Sequence, residues 1–274
     1  EQGPAYQLNI RIFNQLQHTI TGWPGGKPDE DDTYRPARAK PYPKRCVVIC
    51  PEPQDAIVGM GGTLERLVEQ GHEVHLIAMT SGSLRVPDFE ADKFAGTLNE
   101  LAQVSDEPEK WTEQVAYADR IVFLELPFYE KGRYRRFHSG EEDVEKLADL
   151  LRQIAPHQIY TTGDAADPSS VAGISFQVLE EAIKACGDTD WAGACALWLY
   201  RGKERPLEPH EIDMAVPVSP LQLEGKMLAL ARFGALTSLE KEAPDLHRAN
   251  ARLYDGLGLA EYEAIESFQR WSRS

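Results

Sequence analysis

The feature that most constrains the fold is a regular alternation of short apolar segments with longer amphipathic ones, which begins at Cys46. Strands that alternate with helices in this way are typical of βαβ units. The sequence therefore predicts an α/β fold, a Rossmann-like three-layer sandwich with a mostly parallel sheet. The predicted strands are 46–51, 73–80, 120–125, 157–162, 194–200 and 211–216. The predicted helices are 60–70, 90–104, 141–155, 171–186 and 220–236.

Both ends of the chain depart from this alternation. Residues 4–20 carry apolar side chains at helical spacing, and residues 21–45 are rich in proline, glycine and charge. We expect a helix followed by an extended arm or linker, so that 1–45 form an N-terminal part and 46–274 form one domain. Residues 245–271 are interpreted as a helix that breaks at Asp255-Gly256-Leu257-Gly258 and resumes at Ala260.

Net charge limits the binding partners of the protein, and its cysteines and apolar runs indicate its cellular compartment. The chain has 274 residues, with 29 basic and 44 acidic side chains and a net charge of −15, so nucleic acid and anionic membranes are unfavourable partners. Its four cysteines show no CxxC spacing, which favours a reducing cytoplasm. The sequence has no run of about 18 apolar residues and no basic-then-apolar leader, and it therefore predicts neither a membrane span nor a signal peptide.

Three turns follow predicted strands, at 51–57, 80–85 and 163–173. Open α/β proteins build their sites at this carboxyl edge of the sheet, so we expect the three turns to form one crevice. Glycines at 59–63 lack the pattern of a P-loop or of GxGxxG, and close helix packing explains them better than a nucleotide. The candidate ligand-binding residues on the turns are Glu52, Gln54, Asp55, Thr80, Ser81, Arg85, Asp167 and Ser169.

The segment PEPQDAIVGMGGTLERLVEQGHEVHLIAMTSG resembles the first motif of the LmbE-like (PIG-L) zinc-dependent de-N-acetylases, whose pattern is PHPDD, a GGT helix, a GHxV strand and a TxG turn. LELPFYEKG, PHQIYTTGDAADP, WLYRG and AVPVSP continue the resemblance. Residues 16–36 resemble the join in bacterial two-part proteins in which a glucosamine-6-phosphate deaminase-like unit precedes a de-N-acetylase-like unit. The resemblance implies a deaminase-like domain as a partner, N-terminal or in trans.

In that family, the histidine and the last aspartate of PHPDD bind zinc, and the first aspartate is the general base. The ligand positions fall here on Glu52 and Asp55, and the base position falls on Gln54; only Asp55 matches. A glutamine amide can position water but cannot take its proton near neutral pH. Loss of the base alone should lower the rate by about 10²–10⁴.

The later motifs depart from the family in the same way. Where relatives read HGTH, residues 169–172 read SSVA, so the third ligand position falls on Ala172. A family HxSQ segment that lines the site maps onto residues 233–236. Because two imidazole ligands are lost, we expect no zinc, no other cofactor and no catalytic residue. The vestigial positions are Glu52, Gln54, Asp55, Ser169, Ala172 and Phe233.

The preferred hypothesis is a catalytically degenerate domain that binds an amino sugar or a phospho-amino sugar, or that serves as an assembly module, a homo-oligomer included. The alternative is an active amino-sugar de-N-acetylase with a rebuilt oxygen site for an ion such as Mg²⁺, using Glu52, Asp55 and Asp164 or Asp167. A third hypothesis makes the N-terminal arm the functional part. Solvation or helix capping could also explain Glu52 and Asp55.

Overall fold

A computed structural model of the protein describes residues 4–28, 40–80, 121–130, 133–201, 207–231 and 238–272. Its centre is a seven-stranded sheet, accompanied by a two-stranded ribbon. The strands of the sheet are β1 (Arg45–Cys50), β2 (Glu73–Ala78), β3 (Ile121–Phe123), β6 (Gln158–Thr162), β7 (Ala196–Tyr200), β8 (Met214–Val218) and β9 (Ala264–Arg270). The ribbon pairs β4 (Tyr129–Glu130) with β5 (Arg133–Tyr134).

The strand order is β3-β2-β1-β6-β7-β9-β8, and all pairs from β3 to β7 are parallel. Strand β9 lies antiparallel between β7 and β8. The chain leaves β1 towards β2 and β3 and later returns to the other side of β1 at β6. The carboxyl ends of β1 and β6 therefore form a topological switch point, where open α/β sheets place their sites. The predicted α/β fold with a mostly parallel sheet is confirmed.

Helices cover both faces of this sheet, which gives three layers. Val47 of β1 packs in one cluster with Leu147, whereas its neighbour Val48 packs on the opposite face with Leu67. Burial on both faces explains why β1 is a continuous apolar run. The helices are α1 (Ala5–Thr19), α2 (Pro53–Glu69), α3 (Glu141–Ile154), α4 (Val171–Ala185), α5 (Asp190–Ala194), α6 (Pro220–Ala231) and α7 (Ser238–Gly256).

The N-terminal helix is found as predicted, and the arm after it docks on the sheet. Leu16 is buried in a cluster with Tyr254 and Ile265, and the backbone N–H of Thr21 donates to the carbonyl of Ala215 at 2.9 Å. No helix in the described parts of the chain has the length and apolarity needed to cross a bilayer.

The prediction for the C-terminal segment is wrong at its end. Helix α7 stops at Gly256, Gly258 has a positive φ of 84°, and the segment predicted to resume a helix at Ala260 instead contains strand β9. Residues 264–268 are all buried between β7 and β8. Tertiary pairing overrides a composition that favours a helix here, because strand preference depends mainly on the neighbours a strand packs against.

Other boundaries shift for local reasons. Helix α2 begins at Pro53 rather than at residue 60, because Glu52 and Asp55 form a capping box and proline suits the first turn. The strand predicted at 211–216 is β8, which lies at the sheet edge and tolerates Pro217 there. Helix α6 ends at Ala231, and the rest of its predicted range lies outside the described residues. The predicted helix at 90–104 also lies outside them.

Helix α2 is kinked at Met60, where φ is −146° and ψ is 27°. The kink releases the backbone N–H groups that start the second half of the helix, and such groups need acceptors. The carboxylate of Glu266 on β9 accepts from Gly62 N at 3.0 Å, from Thr63 N at 2.7 Å and from Thr63 Oγ1 at 2.7 Å. Gly62 is required because an added Cβ would lie 2.7 Å from Val218 Cγ1.

Two further buried groups complete this network, which we call the Glu266 network (Thr63, Lys226, His247 and Glu266). Lys226 Nζ donates to Glu266 Oε1 at 2.7 Å and to His247 Nδ1 at 2.9 Å. Burial, and then the charge of Lys226, lower the pKa of His247 to about 3. The imidazole is therefore neutral and accepts from the lysine, and the network joins α2, α6, α7 and β9.

We expect Glu266→Gln to lower the free energy of unfolding by about 3–5 kcal/mol, because it leaves the Lys226 ammonium buried without its anion. Urea denaturation at pH 7 measures this. The matched control is Glu263→Gln, three residues away, since Glu263 forms an exposed ion pair with Arg248 at 3.1 Å and should change stability by less than about 1 kcal/mol. Equal effects of the two changes would contradict the role given to Glu266.

His247 should also make stability depend on pH. Its folded pKa of about 3 lies below the ordinary value of 6.5, so below pH 6.5 the unfolded chain takes up a proton that the folded chain does not. The free energy of unfolding should fall with decreasing pH, by about 1.4 kcal/mol per pH unit from this group. His247→Gln should reduce the slope between pH 6.5 and pH 5 in urea denaturation, and an unchanged slope would contradict the role given to His247.

Candidate functional site

The candidate site lies at the carboxyl ends of β1 and β6, where the sequence places two of its three turns. Pro51 follows β1 directly and leads into α2, and residues 163–170 join β6 to α4. Thr80, at the end of β2, donates from its backbone N–H and its hydroxyl to the carbonyl of Pro51, at 3.0 and 2.8 Å. Thr80 therefore fixes the turn after β1 from within. Ser81 and Arg85 lie outside the described residues.

The side chains of the first turn bind one another. The amide nitrogen of Gln54 donates to Glu52 Oε2 at 2.9 Å, and the backbone N–H of Glu52 donates to Asp55 Oδ2 at 2.9 Å. Gln54 is 1% exposed and Asp55 is 6% exposed. The amide in the family's base position thus acts as a donor to a carboxylate, and Asp55 caps the start of α2.

The turn after β6 is organised by Asp167. Its Oδ1 accepts from the backbone N–H of Ser169 at 2.9 Å and from the hydroxyl of Ser169 at 2.7 Å. These bonds lower the pKa of Asp167, first through the Ser169 hydroxyl and then through its N–H. Both side chains are exposed, so Asp167 presents a carboxylate at the rim of the crevice. Asp167 and Ser169, two of the candidate ligand-binding residues, therefore bind each other in this turn.

The floor of the crevice is almost filled. A void of about 20 Å³ remains between Asp55, Asp164, Ala172 and Tyr200, which is room for about one water molecule. Tyr200 is 1% exposed, and its ring lies so close to α2 that a Cβ added to Gly59 would be 2.0 Å from its Cδ2. Burial, with added repulsion from Cys50, Asp55 and Asp164, raises the pKa of Tyr200.

Sequence reasoning missed an aromatic group at the rim. Tyr134 of β5 accepts a hydrogen bond from the backbone of Val171, and its ring stacks on Phe137 with centroids 4.7 Å apart. Burial raises the pKa of Tyr134, and Tyr129, Asp167 and Glu52 raise it further. Phe137 is 66% exposed. The segment contains several aromatic residues, but no motif ties it to the crevice.

The donor set does not fit the zinc that the family implies. Glu52 accepts from Gln54, Asp55 is used in the helix cap, and Ala172 has no donor atom. Among the described residues, no group of three or more histidine, cysteine, aspartate or glutamate side chains could hold a metal ion. Phe233, which replaces a polar residue of the family's rim, lies outside the described residues.

Comparison with known proteins agrees with this architecture. A family model described as GlcNAc-PI de-N-acetylase (PIG-L) matches residues 47–171. Residues 47–171 are therefore similar to the PIG-L (LmbE-like) family. It is also 40% identical, over 328 aligned positions, to a protein of Bacteroides thetaiotaomicron named as glucosamine-6-phosphate deaminase-like. The alignment includes 97% of this chain and 48% of that protein, so the chain spans about half the length of this relative.

Three solved structures share the fold at low identity. A conserved protein of Thermus thermophilus superposes with a TM-score of 0.56 at 19% identity, covering 84% of this chain and 100% of that one. The N,N'-diacetylchitobiose deacetylase of Pyrococcus horikoshii superposes with a TM-score of 0.55 at 19% identity, covering 83% of this chain and 84% of that one. GalB, the 4-carboxy-2-hydroxymuconate hydratase of Pseudomonas putida, superposes with a TM-score of 0.56 at 15% identity, covering 84% of this chain and 98% of that one. The fold is shared by proteins with different activities and does not by itself define a reaction.

The contact between Tyr200 and Gly59 predicts a stability effect. Gly59→Ala should destabilise the protein by about 1–3 kcal/mol, because the new methyl group cannot coexist with the buried ring. Gly256→Ala is the matched control: it lies at the end of α7 with no heavy atom within 4 Å of an added Cβ, and helix propensity should make it neutral or stabilising. Equal stability of both variants in urea denaturation would show that Tyr200 does not fill the crevice.

Proposed function

We propose that the domain is catalytically degenerate and binds an amino sugar at the rim of the crevice without a metal ion. The observation that carries the proposal is the hydrogen bond from the Gln54 amide to Glu52. An amide that donates to a carboxylate cannot act as a general base. The hydrolytic position is therefore used for structure, and the exposed rim is available for recognition.

The geometry of the crevice favours binding at the rim. The void on the floor holds about one water molecule, so a sugar ring does not fit there. Asp167 is exposed and its pKa is lowered, so it is ionised at neutral pH and suits an ammonium group. The stacked pair Tyr134 and Phe137 offers an apolar face nearby, as the weakly polar face of a sugar requires.

One observation favours the alternative, an active de-N-acetylase with a rebuilt carboxylate site. Asp55 and Asp164 line the same void, so two of its proposed oxygen ligands do converge. The third does not: Asp167 is exposed and binds Ser169, and Glu52 accepts from Gln54. Mg²⁺ and Ca²⁺ need six or more oxygen ligands, and two carboxylates with one water leave the set incomplete. We therefore favour the non-catalytic function.

The proposal also includes a deaminase-like unit as a partner, either attached N-terminally or supplied in trans. It is supported by the relative named as glucosamine-6-phosphate deaminase-like, of which this chain spans about half. In that arrangement the domain would supply amino-sugar binding or assembly, including self-association, to a partner that carries the chemistry. All four cysteines are buried thiols, which fits a reducing cytoplasm.

The purified protein should contain less than about 0.1 equivalent of zinc after exposure to the ion, and it should release no acetate from N-acetylglucosamine, because base and ligands are both missing. Elemental analysis and an acetate assay test this. In the same preparation, glucosamine should raise the melting temperature, and Asp167→Asn should weaken this effect several-fold. The matched control is Asp188→Asn, which is also exposed.

A reconstructed variant provides the positive control. Glu52→His, Gln54→Asp and Ala172→His together restore the family's donor types beside Asp55, and the variant should take up about one equivalent of zinc. Glu52→His with Gln54→Asp alone should bind zinc much more weakly. Stoichiometric zinc together with acetate release in the unmodified protein would refute the proposed function and support the alternative.

A further inference from the structure

A second cavity lies at the opposite edge of the sheet, where the parallel strands begin. Its volume is about 370 Å³, and its walls come from the amino ends of β1, β6 and β7, from α5 and from the end of β9. Strands of five or six residues separate this edge from the crevice by about 17–20 Å. We call it the basic pocket, after Lys40, Lys44 and Arg270, which line it.

The electrostatic character of the basic pocket is opposite to that of the molecule. Two lysines and one arginine line it, and none of its described lining residues is acidic, although the chain as a whole carries a net charge of −15. Positive side chains collected in one concave site raise the local concentration of anions. The pocket therefore favours an anion, in contrast to the carboxylate-bearing crevice.

His157 contributes a hydrogen-bond donor to the wall of the pocket. His157 Nδ1 accepts from the backbone N–H of Arg45 at 2.9 Å, so the proton of the neutral ring is on Nε2. Burial, and then Arg45 and Lys44, lower the pKa of His157, which keeps the ring neutral at pH 7.

Arg270 is held in place for this role. Its guanidinium lies over the ring of Trp198, with 5.8 Å from Cζ to the ring centroid, and its backbone N–H donates to Asp213 at 2.7 Å. A cation–π contact of this kind restrains the side chain without using its N–H groups. The guanidinium can therefore bind two oxygens of one anion at once.

We propose that the basic pocket binds a phosphate group, either free phosphate or the monoester of a small metabolite. Lys40 and Arg270 supply the charge that binds a doubly charged anion, the buried Lys44 adds positive potential, and the N–H group of His157 matches one of the anion's oxygens. The volume lies within the range of small-molecule sites and accommodates a phosphorylated monosaccharide. The site is independent of the crevice and of the function proposed for it.

Isothermal titration of the purified protein with inorganic phosphate, glucosamine 6-phosphate and glucosamine tests the site. Gly193 lines the pocket, and no heavy atom lies within 4 Å of a Cβ added there, so Gly193→Glu places a negative charge in the pocket without a steric clash. We expect it to weaken phosphate binding at least tenfold, and Arg270→Gln to weaken it about fivefold. Gly193→Ala and Arg152→Gln, the latter on an exposed arginine outside the pocket, should bind as the unmodified protein does.

The three ligands and the variants together show which chemical group is bound and which of the two sites binds it. Free phosphate binding as tightly as the sugar phosphate identifies phosphate itself as the ligand, and tighter binding of the sugar phosphate identifies a monoester. Asp167→Asn should weaken glucosamine binding but not phosphate binding. No saturable binding of either phosphate compound would overturn the proposal. The proposal would also be overturned if Asp167→Asn weakened sugar phosphate binding while Gly193→Glu and Arg270→Gln had no effect on it. That outcome would leave the function proposed for the crevice intact.

Discussion

The position of the site depends on the hydrogen bonds and the ion pair that the Glu266 carboxylate forms. Helix α2 breaks at Met60, and its second half would begin with unsatisfied N–H groups inside the protein. Glu266 accepts from Gly62 and Thr63 there, and Lys226 balances its charge. Because β9 supplies Glu266 and also pairs with both β7 and β8, the strand that completes the sheet also fixes the helix that carries Gln54 and Asp55.

This arrangement gives the GGT segment a structural role that does not depend on the chemistry of the residues beside it. Gly59 accommodates the ring of Tyr200, and Gly62 accommodates Val218. Both contacts serve packing between α2 and the sheet. Asp55 has a comparable structural role, since its Oδ2 accepts from the backbone N–H of Glu52. The one acidic position that matches the family is therefore also the one that the helix start requires.

The fold could be predicted from the sequence because its signals are local. The apolar run of β1 and the strand-helix alternation are enough to define a parallel α/β sheet. Strand β9 could not be found in this way, since Ala264–Arg270 becomes a strand only between β7 and β8, and Glu266 shows its role only when the kinked helix lies beside it. At the site, the turn positions followed from strand order, but the bond from Gln54 to Glu52 and the filling of the floor by Tyr200 depend on side-chain packing. Tyr134 lies on β5, just beyond the segments that carry the resemblance.

The two edges of the sheet differ in charge, and this difference bears on which ligands each can bind. At the carboxyl edge, Asp167 presents an exposed carboxylate, and a cationic group is favoured there. At the amino edge, Lys40, Lys44, His157 and Arg270 line a pocket without a described acidic residue, and an anionic group is favoured. A sugar bearing both an amine and a phosphate cannot reach both, because a monosaccharide is much shorter than the roughly 17–20 Å length of the strands between them. If both edges bind ligands, they bind two separate molecules, and any influence of one on the other must pass through the strands and through α2, which the Glu266 network holds in place.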